Sequence, residues 1–160
     1  MSNKVCSPTL KCGKIFSVNL PSELTINDPP IDLAQVKVNI ENLKKPCVQL
    51  NYSQNIQFEV YGLNPSFSIV YRLVRTNGKT DGTIFLEEWS LTFSEVYATT
   101  IPNINTIEPL VVNYCDCICV KGVESFTYTL QLAKVTTTNC NYNITNEVIS
   151  AIAICGTDSS

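Results

Sequence analysis

Histidine is absent from this 160-residue chain. With it go the usual general base, the commonest metal ligand and every Ser-His or Cys-His nucleophile pair. No GxSxG, GxxxxGKS/T or GxGxxG occurs either, so no loop that would present a nucleophile or cradle a phosphate is visible. Adjacent carboxylates such as Glu87 and Glu88 read as a solvated strand edge or turn. The chain is therefore read as not an enzyme and as having no cofactor. Its eleven basic residues face fourteen acidic ones and are scattered without a stripe, which argues against nucleic acid as a partner. No apolar run approaches the roughly eighteen residues of a membrane span, and Met1 to Pro8 lacks the apolar centre of a signal peptide. The expectation is a protein made in the cytosol, with neither nucleic acid nor membrane as its partner.

What the sequence has instead is cysteine, eight residues of it. Three lie in Tyr114-Cys115-Asp116-Cys117-Ile118-Cys119-Val120 at strict two-residue spacing. On an extended strand, alternate side chains share a face, so Cys115, Cys117 and Cys119 line one side and Tyr114, Asp116, Ile118 and Val120 the other. Thiols two apart on a strand stand roughly 6.6 Å from each other and point the same way, too far and too parallel to bond together. Each must find its partner elsewhere. The remaining candidates are Cys6, Cys12, Cys47, Cys140 and Cys155.

The rest of the chain has the period of two that strands require. Alternation runs through Ile15 to Leu20, Val36 to Ile40, Pro46 to Val60, Phe67 to Val74, Leu110 to Val120, Phe126 to Ala133 and Val148 to Cys155. Asn77-Gly78 and Asp81-Gly82 supply the positive φ angles of a hairpin turn. Ile84 to Tyr97 also fits helical spacing, but its surroundings favour a strand through Trp89, Leu91 and Phe93. About eight strands and no helix predict an all-β, antiparallel, jelly-roll-like sandwich, with an immunoglobulin-like sandwich as the alternative. The domain pattern is an N-terminal connector arm over 1–13, a sandwich over 14–156 and a polar tail over 157–160.

A chain of this length buries enough apolar surface to fold without disulfides. Its cysteines therefore point to durability, cross-linking or metal. Cytosolic thiols stay reduced, which favours a metal-thiolate protein. However, zinc holds its sulfur ligands within roughly 3.8 Å of one another, closer than an extended C-x-C ladder presents them, and no CxxC knuckle is present. A cell that lyses as part of its programme offers another route to oxidation, exposing cytosolic products without secreting them. Cys47, Cys115, Cys117, Cys140 and Cys155 are read as disulfide candidates within the subunit. Cys6 and Cys12, ahead of the first strand, and Cys119 are candidates for bonds to a neighbouring subunit, and no metal site is expected. A head-to-tail contact that does not close into a ring propagates a helical polymer.

Pro46-Cys47-Val48-Gln49-Leu50, the Cys115-Asp116-Cys117-Ile118-Cys119 ladder and the closing Ile152-Ala153-Ile154-Cys155 together resemble small cysteine-rich proteins of unknown function from anaerobic spore-forming bacteria, over nearly the whole chain. More remotely, a short arm bearing a hydrophobic residue and cysteine ahead of a jelly-roll body resembles endospore appendage (Ena-type) fibre subunits. The resemblance implies an arm whose cysteines bond to preceding subunits and bodies that stack by sheet augmentation. Val5-Cys6 and Cys12 match the connector positions, but that connector commonly pairs adjacent cysteines and Cys6 stands alone, which implies fewer lateral bonds or a different register. The expected function is a structural subunit of a disulfide-cross-linked homopolymer, finally extracellular or on the spore surface, with a spore coat or exosporium protein as a possible anchor. The alternatives are a carbohydrate- or protein-binding module, with a site in loops such as 98–109, or a cytosolic metal-thiolate protein.

Overall fold

The computed structural model describes residues 7–77, 80–97, 99, 104–118 and 122–156. Alternating sequence becomes strand throughout. Seven long strands carry the fold: β4 (Ile31–Asn39), β5 (Pro46–Val60), β6 (Ser66–Asn77), β7 (Thr80–Ser94), β8 (Asn105–Cys117), β9 (Ser125–Thr138) and β10 (Cys140–Cys155). Three short ones, β1 (Thr9–Cys12), β2 (Lys14–Ile15) and β3 (Glu23–Leu24), bring the number to ten, where the sequence suggested about eight. They form two antiparallel sheets packed as a sandwich. One is four-stranded in the order β1-β10-β5-β8; the other runs β2-β4-β9-β6-β7, with β3 added on β9.

The core is what period two dictates. Val48, Leu50, Tyr52, Ile56, Phe58 and Val60 of β5 point inward, opposite Phe67, Ile69, Tyr71 and Leu73 of β6 and Phe126, Tyr128, Leu130 and Leu132 of β9, all of them buried. Phe58 meets Phe67 edge-on, with ring centroids 4.7 Å apart, the geometry aromatic quadrupoles favour. The β6–β7 hairpin closes at the Asn77↔Thr80 pair, as the turn residues predict. Ile84 to Ser94 is strand, and Trp89 packs half-buried on the core with its ring edge-on to Tyr114.

Extra residues reset the alternation at several points, Leu86 on β7 among them. Leu33 on β4 and Ala133 on β9 are each inserted into a ladder, and Asn146-Glu147 opposes Gln54 alone on β10. Such bulges swap the faces of everything beyond them. On β10, Cys140 and Ile144 face inward before the bulge, and Ile149, Ala151 and Ala153 after it. Asn146 takes φ 54° there, which asparagine tolerates better than most residues.

The N-terminal segment departs from the expected outward arm over 1–13. Residues 1–6 lie outside the described residues, as does the tail 157–160, but Thr9–Cys12 pair with β10 of their own chain, in the register Thr9↔Ala153 to Cys12↔Ser150. At Gly13 the chain crosses to the other sheet, where Lys14 and Ile15 pair with Gln35 and Ala34. A Cβ at Gly13 would lie 2.3 Å from the Gln35 carbonyl oxygen and 2.5 Å from Ile149 Cγ2, so only glycine lets the two sheets approach at this corner. The run expected to continue as strand to Leu20 leaves the ladder after Ile15, while Val18 and Leu20 pack against the core.

Candidate cross-linking face

The four-stranded sheet has one inner face and one outer, and the registers decide what the outer one carries. Cys47 pairs with Cys117 and Ile154, Gln49 with Cys115 and Ile152, and Ile152 in turn with Leu10. The odd-numbered positions of β5 and β8, their partners on β10, and Leu10 and Cys12 of β1 therefore form one surface. Glu59 is the only charge among the described positions on it. Leu10 (61% exposed), Val111 (64%) and Ile107 (60%), with Val148 and Ile154, stand out of it into solvent. Between them the face is polar but uncharged, with Gln49, Asn51, Ser53, Asn55 and Gln57 along β5.

The cysteines concentrate at one end of that surface. Cys47 and Cys117, directly opposite on adjacent strands with Cα atoms 4.0 Å apart, form a disulfide, as expected of both. Cys155, at the end of β10, is also disulfide-bonded. Cys115 and Cys140, expected to bond within the subunit, are free. The register explains Cys115, because the residue opposite is Gln49. Cys140 is buried beside Val60, its thiol donating to the Ser66 carbonyl at 3.2 Å, and burial raises its pKa. Cys12 is free and exposed on β1, and Cys115 is free and exposed on β8. Cys6 and Cys119 lie outside the described residues. No cluster of cysteines and carboxylates able to hold a metal is present among the described residues.

β1 and β8 are the two edges of this sheet, and the backbone bonds show which residues face outward. Gly13 N–H donates to Ile149 O at 2.8 Å, so odd residues of the β1 segment bond inward to β10, and Leu10 and Cys12 direct their backbone groups away from the sheet. Ile118 N–H donates to Pro46 O and Val60 N–H to Ile104 O, so even residues of β8 serve β5 and odd ones, Cys115 among them, face the free edge. Pro109 is one of these odd residues, where the missing N–H costs the ladder nothing.

A charged group underneath pins the cysteine edge. Asp116, between the two outward cysteines, points inward and bonds Arg75 Nη1 of β6 across the sandwich, while Tyr128 of β9 donates to the same carboxylate oxygen at 3.0 Å. Arg75 also lies over the Phe126 ring, 4.6 Å from its centroid. Burial, and then the Asp116 charge, push the Tyr128 hydroxyl far above its ordinary pKa. The sequence had already put Asp116 on the face opposite the thiols; the missed inference was that an aspartate facing inward from an edge strand requires a buried cation.

A second buried polar cluster forms at the β10 bulge. Tyr52 faces both Gln54 Oε1 and Glu147 Oε1, the latter at 2.8 Å, and Gln54 reaches on to the Tyr71 hydroxyl. One hydroxyl proton cannot serve two acceptors. Either Glu147 is protonated, or the Gln54 amide is reversed and donates to Tyr52. Burial raises the Glu147 pKa, against the opposing bond from Tyr52.

Among solved structures, the chain is similar to an Eiger TNF from S. frugiperda at 11% identity, covering 97% of each chain with a TM-score of 0.41. It is also similar to a chain of infectious bursal disease virus Gt strain at 11% identity, covering 98% of this chain and 44% of that one, with a TM-score of 0.20. No curated protein matches. The sequence profile of one family matches residues 6–154, and the chain belongs to that family, the Domain of unknown function (DUF4489).

Proposed function

We propose that this chain is a structural subunit of a disulfide-cross-linked homopolymer, its N-terminal segment linking covalently to a neighbouring copy and its final place outside the cell or on the spore surface. The observation that carries the reading is the pair of free, exposed thiols, Cys12 and Cys115, on one nearly uncharged face. Neither has a cysteine opposite on its paired strand: Cys12 faces Ser150 and Cys115 faces Gln49. The resemblance to proteins of spore-formers supports the location, since a lysing cell brings cytosolic thiols to an oxidant without secretion.

The test is oxidation of the purified full-length chain, followed by non-reducing electrophoresis and electron microscopy. The expected result is a ladder of covalent multimers that collapses to monomer on reduction, with elongated assemblies in the micrographs. A single monomer band after oxidation, with no assemblies, overturns the proposal.

A further inference from the structure

We infer that copies of this chain join edge to edge through their four-stranded sheets, β8 of one copy pairing antiparallel with β1 of the next, and that Cys12 and Cys115 meet across that junction as a disulfide. The inference deepens the polymer reading and rests on it.

Strand direction comes first. The sheet is antiparallel throughout and has four strands, so its two edge strands run in opposite directions. Copies placed side by side with the same face outward therefore bring β8 against β1 as an antiparallel pair, with no flip of either molecule. The junction is heterologous and leaves a free β1 at one end and a free β8 at the other, so it repeats without closing.

Side chains and backbone then agree. Cys12 and Cys115 both lie on the outer face, and both direct their N–H and C=O groups toward their own free edge. Set opposite each other, they make a hydrogen-bonded antiparallel pair, whose Cα atoms stand about 5.5 Å apart, within the range a disulfide spans. That register puts Lys11 opposite Asp116 and Leu10 opposite Cys117. All four residues of β1 are exposed.

The covalent step needs an oxidant, for which a small-molecule disulfide such as oxidised glutathione suffices. The Cys12 thiolate attacks one of its sulfurs, forming a mixed disulfide and expelling one thiolate. The Cys115 thiolate of the adjacent copy then attacks the Cys12 sulfur, forming the cross-link and expelling the second. Two protein thiols are oxidised and one disulfide is reduced to two thiols.

The experiment uses full-length Cys12→Ser and Cys115→Ser chains, each oxidised alone and as an equimolar mixture, beside the wild type. Both sites are on the surface, so circular dichroism should match the wild type. Each variant alone should lose the covalent ladder. The mixture should give covalent dimers and nothing larger, because one variant supplies only Cys12 and the other only Cys115. Peptide mapping of that dimer should recover the Cys12–Cys115 bond. Dimers from either variant alone mean like-to-like bonding and overturn the inference. A ladder surviving in both variants also overturns it while leaving the polymer reading intact, and a wild type that stays monomeric overturns both.

Discussion

Replacing Asp116 with alanine tests whether the cysteine edge is held from below. The Arg75 and Asp116 side chains are only 9% and 11% exposed, so the substitution leaves a guanidinium buried without its counter-charge and takes away the acceptor for Tyr128. Breaking such a pair from one side costs about 3–5 kcal/mol. In a chain of this size each kcal/mol moves the midpoint by roughly 2–4 °C, so Tm should fall by about 6–20 °C. The assay is urea unfolding with the disulfides kept oxidised, supported by a thermal scan, and an unchanged m-value confirms that the loss is one of stability. Arg75→Met combined with Asp116→Leu removes both charges and should recover most of the loss, since a buried pair and an apolar pair of similar volume are often equivalent. A single substitution costing less than about 1 kcal/mol would mean that the pair behaves as a surface contact. A double variant as poor as the sum of its singles would mean that the two groups do not interact. Either result refutes the argument.

Gly13→Ala should cost about 1–3 kcal/mol, since its methyl group has no room beside the Gln35 carbonyl and Ile149; chemical denaturation measures it, and a neutral result would mean that the corner can open. Glu147→Gln should raise stability at neutral pH. With its pKa raised on folding, Glu147 ionises first in the unfolded chain, so its contribution to stability falls as pH rises above the ordinary carboxylate range. The variant's advantage should therefore vanish in acid, as unfolding curves across pH would show. Burial lifts Tyr142 to about 12 and raises Tyr52, Tyr71 and Tyr128 as well. Above pH 10 these phenols ionise more readily in the unfolded chain than in the folded one, so stability should decline there, and absorbance at 295 nm should show a slow phase matching the loss of structure.

Much of the sandwich was legible because its core strands alternate cleanly. β5, β6 and β9 keep aromatic and branched residues at every second position, and Asn77 marked the hairpin. The first half of β10 escaped notice because the bulge at Asn146-Glu147 reverses its phase, which cancels the period that makes a strand visible. β1 was hidden for a different reason. Thr9 to Cys12 are joined to β10 by backbone bonds, which leave no side-chain pattern, and their exposure makes them read as a loose arm. Cys115 and Cys117 share a face, as the two-residue spacing predicts, but their partners depend on register. That register pairs Cys47 with Cys117 and leaves Cys115 opposite a glutamine.

The passage between β9 and β10 takes a single residue, Asn139, at φ 53°, its amide donating to the Leu63 carbonyl at 2.6 Å. At that end the two sheets share an unbroken peptide chain, which no reductant touches. At the far end of β10 the peptide chain crosses between the sheets as well, through residues 40–45, and the Cys47–Cys117 disulfide beside it clamps the adjacent strands β5 and β8, with Cys155 also bonded. The four-stranded sheet thus has a redox-sensitive clamp at that end, whereas Cys140 at the other end is free. Reduction should loosen it directionally, with amide exchange quickening first near Ala153 and last near Ile144.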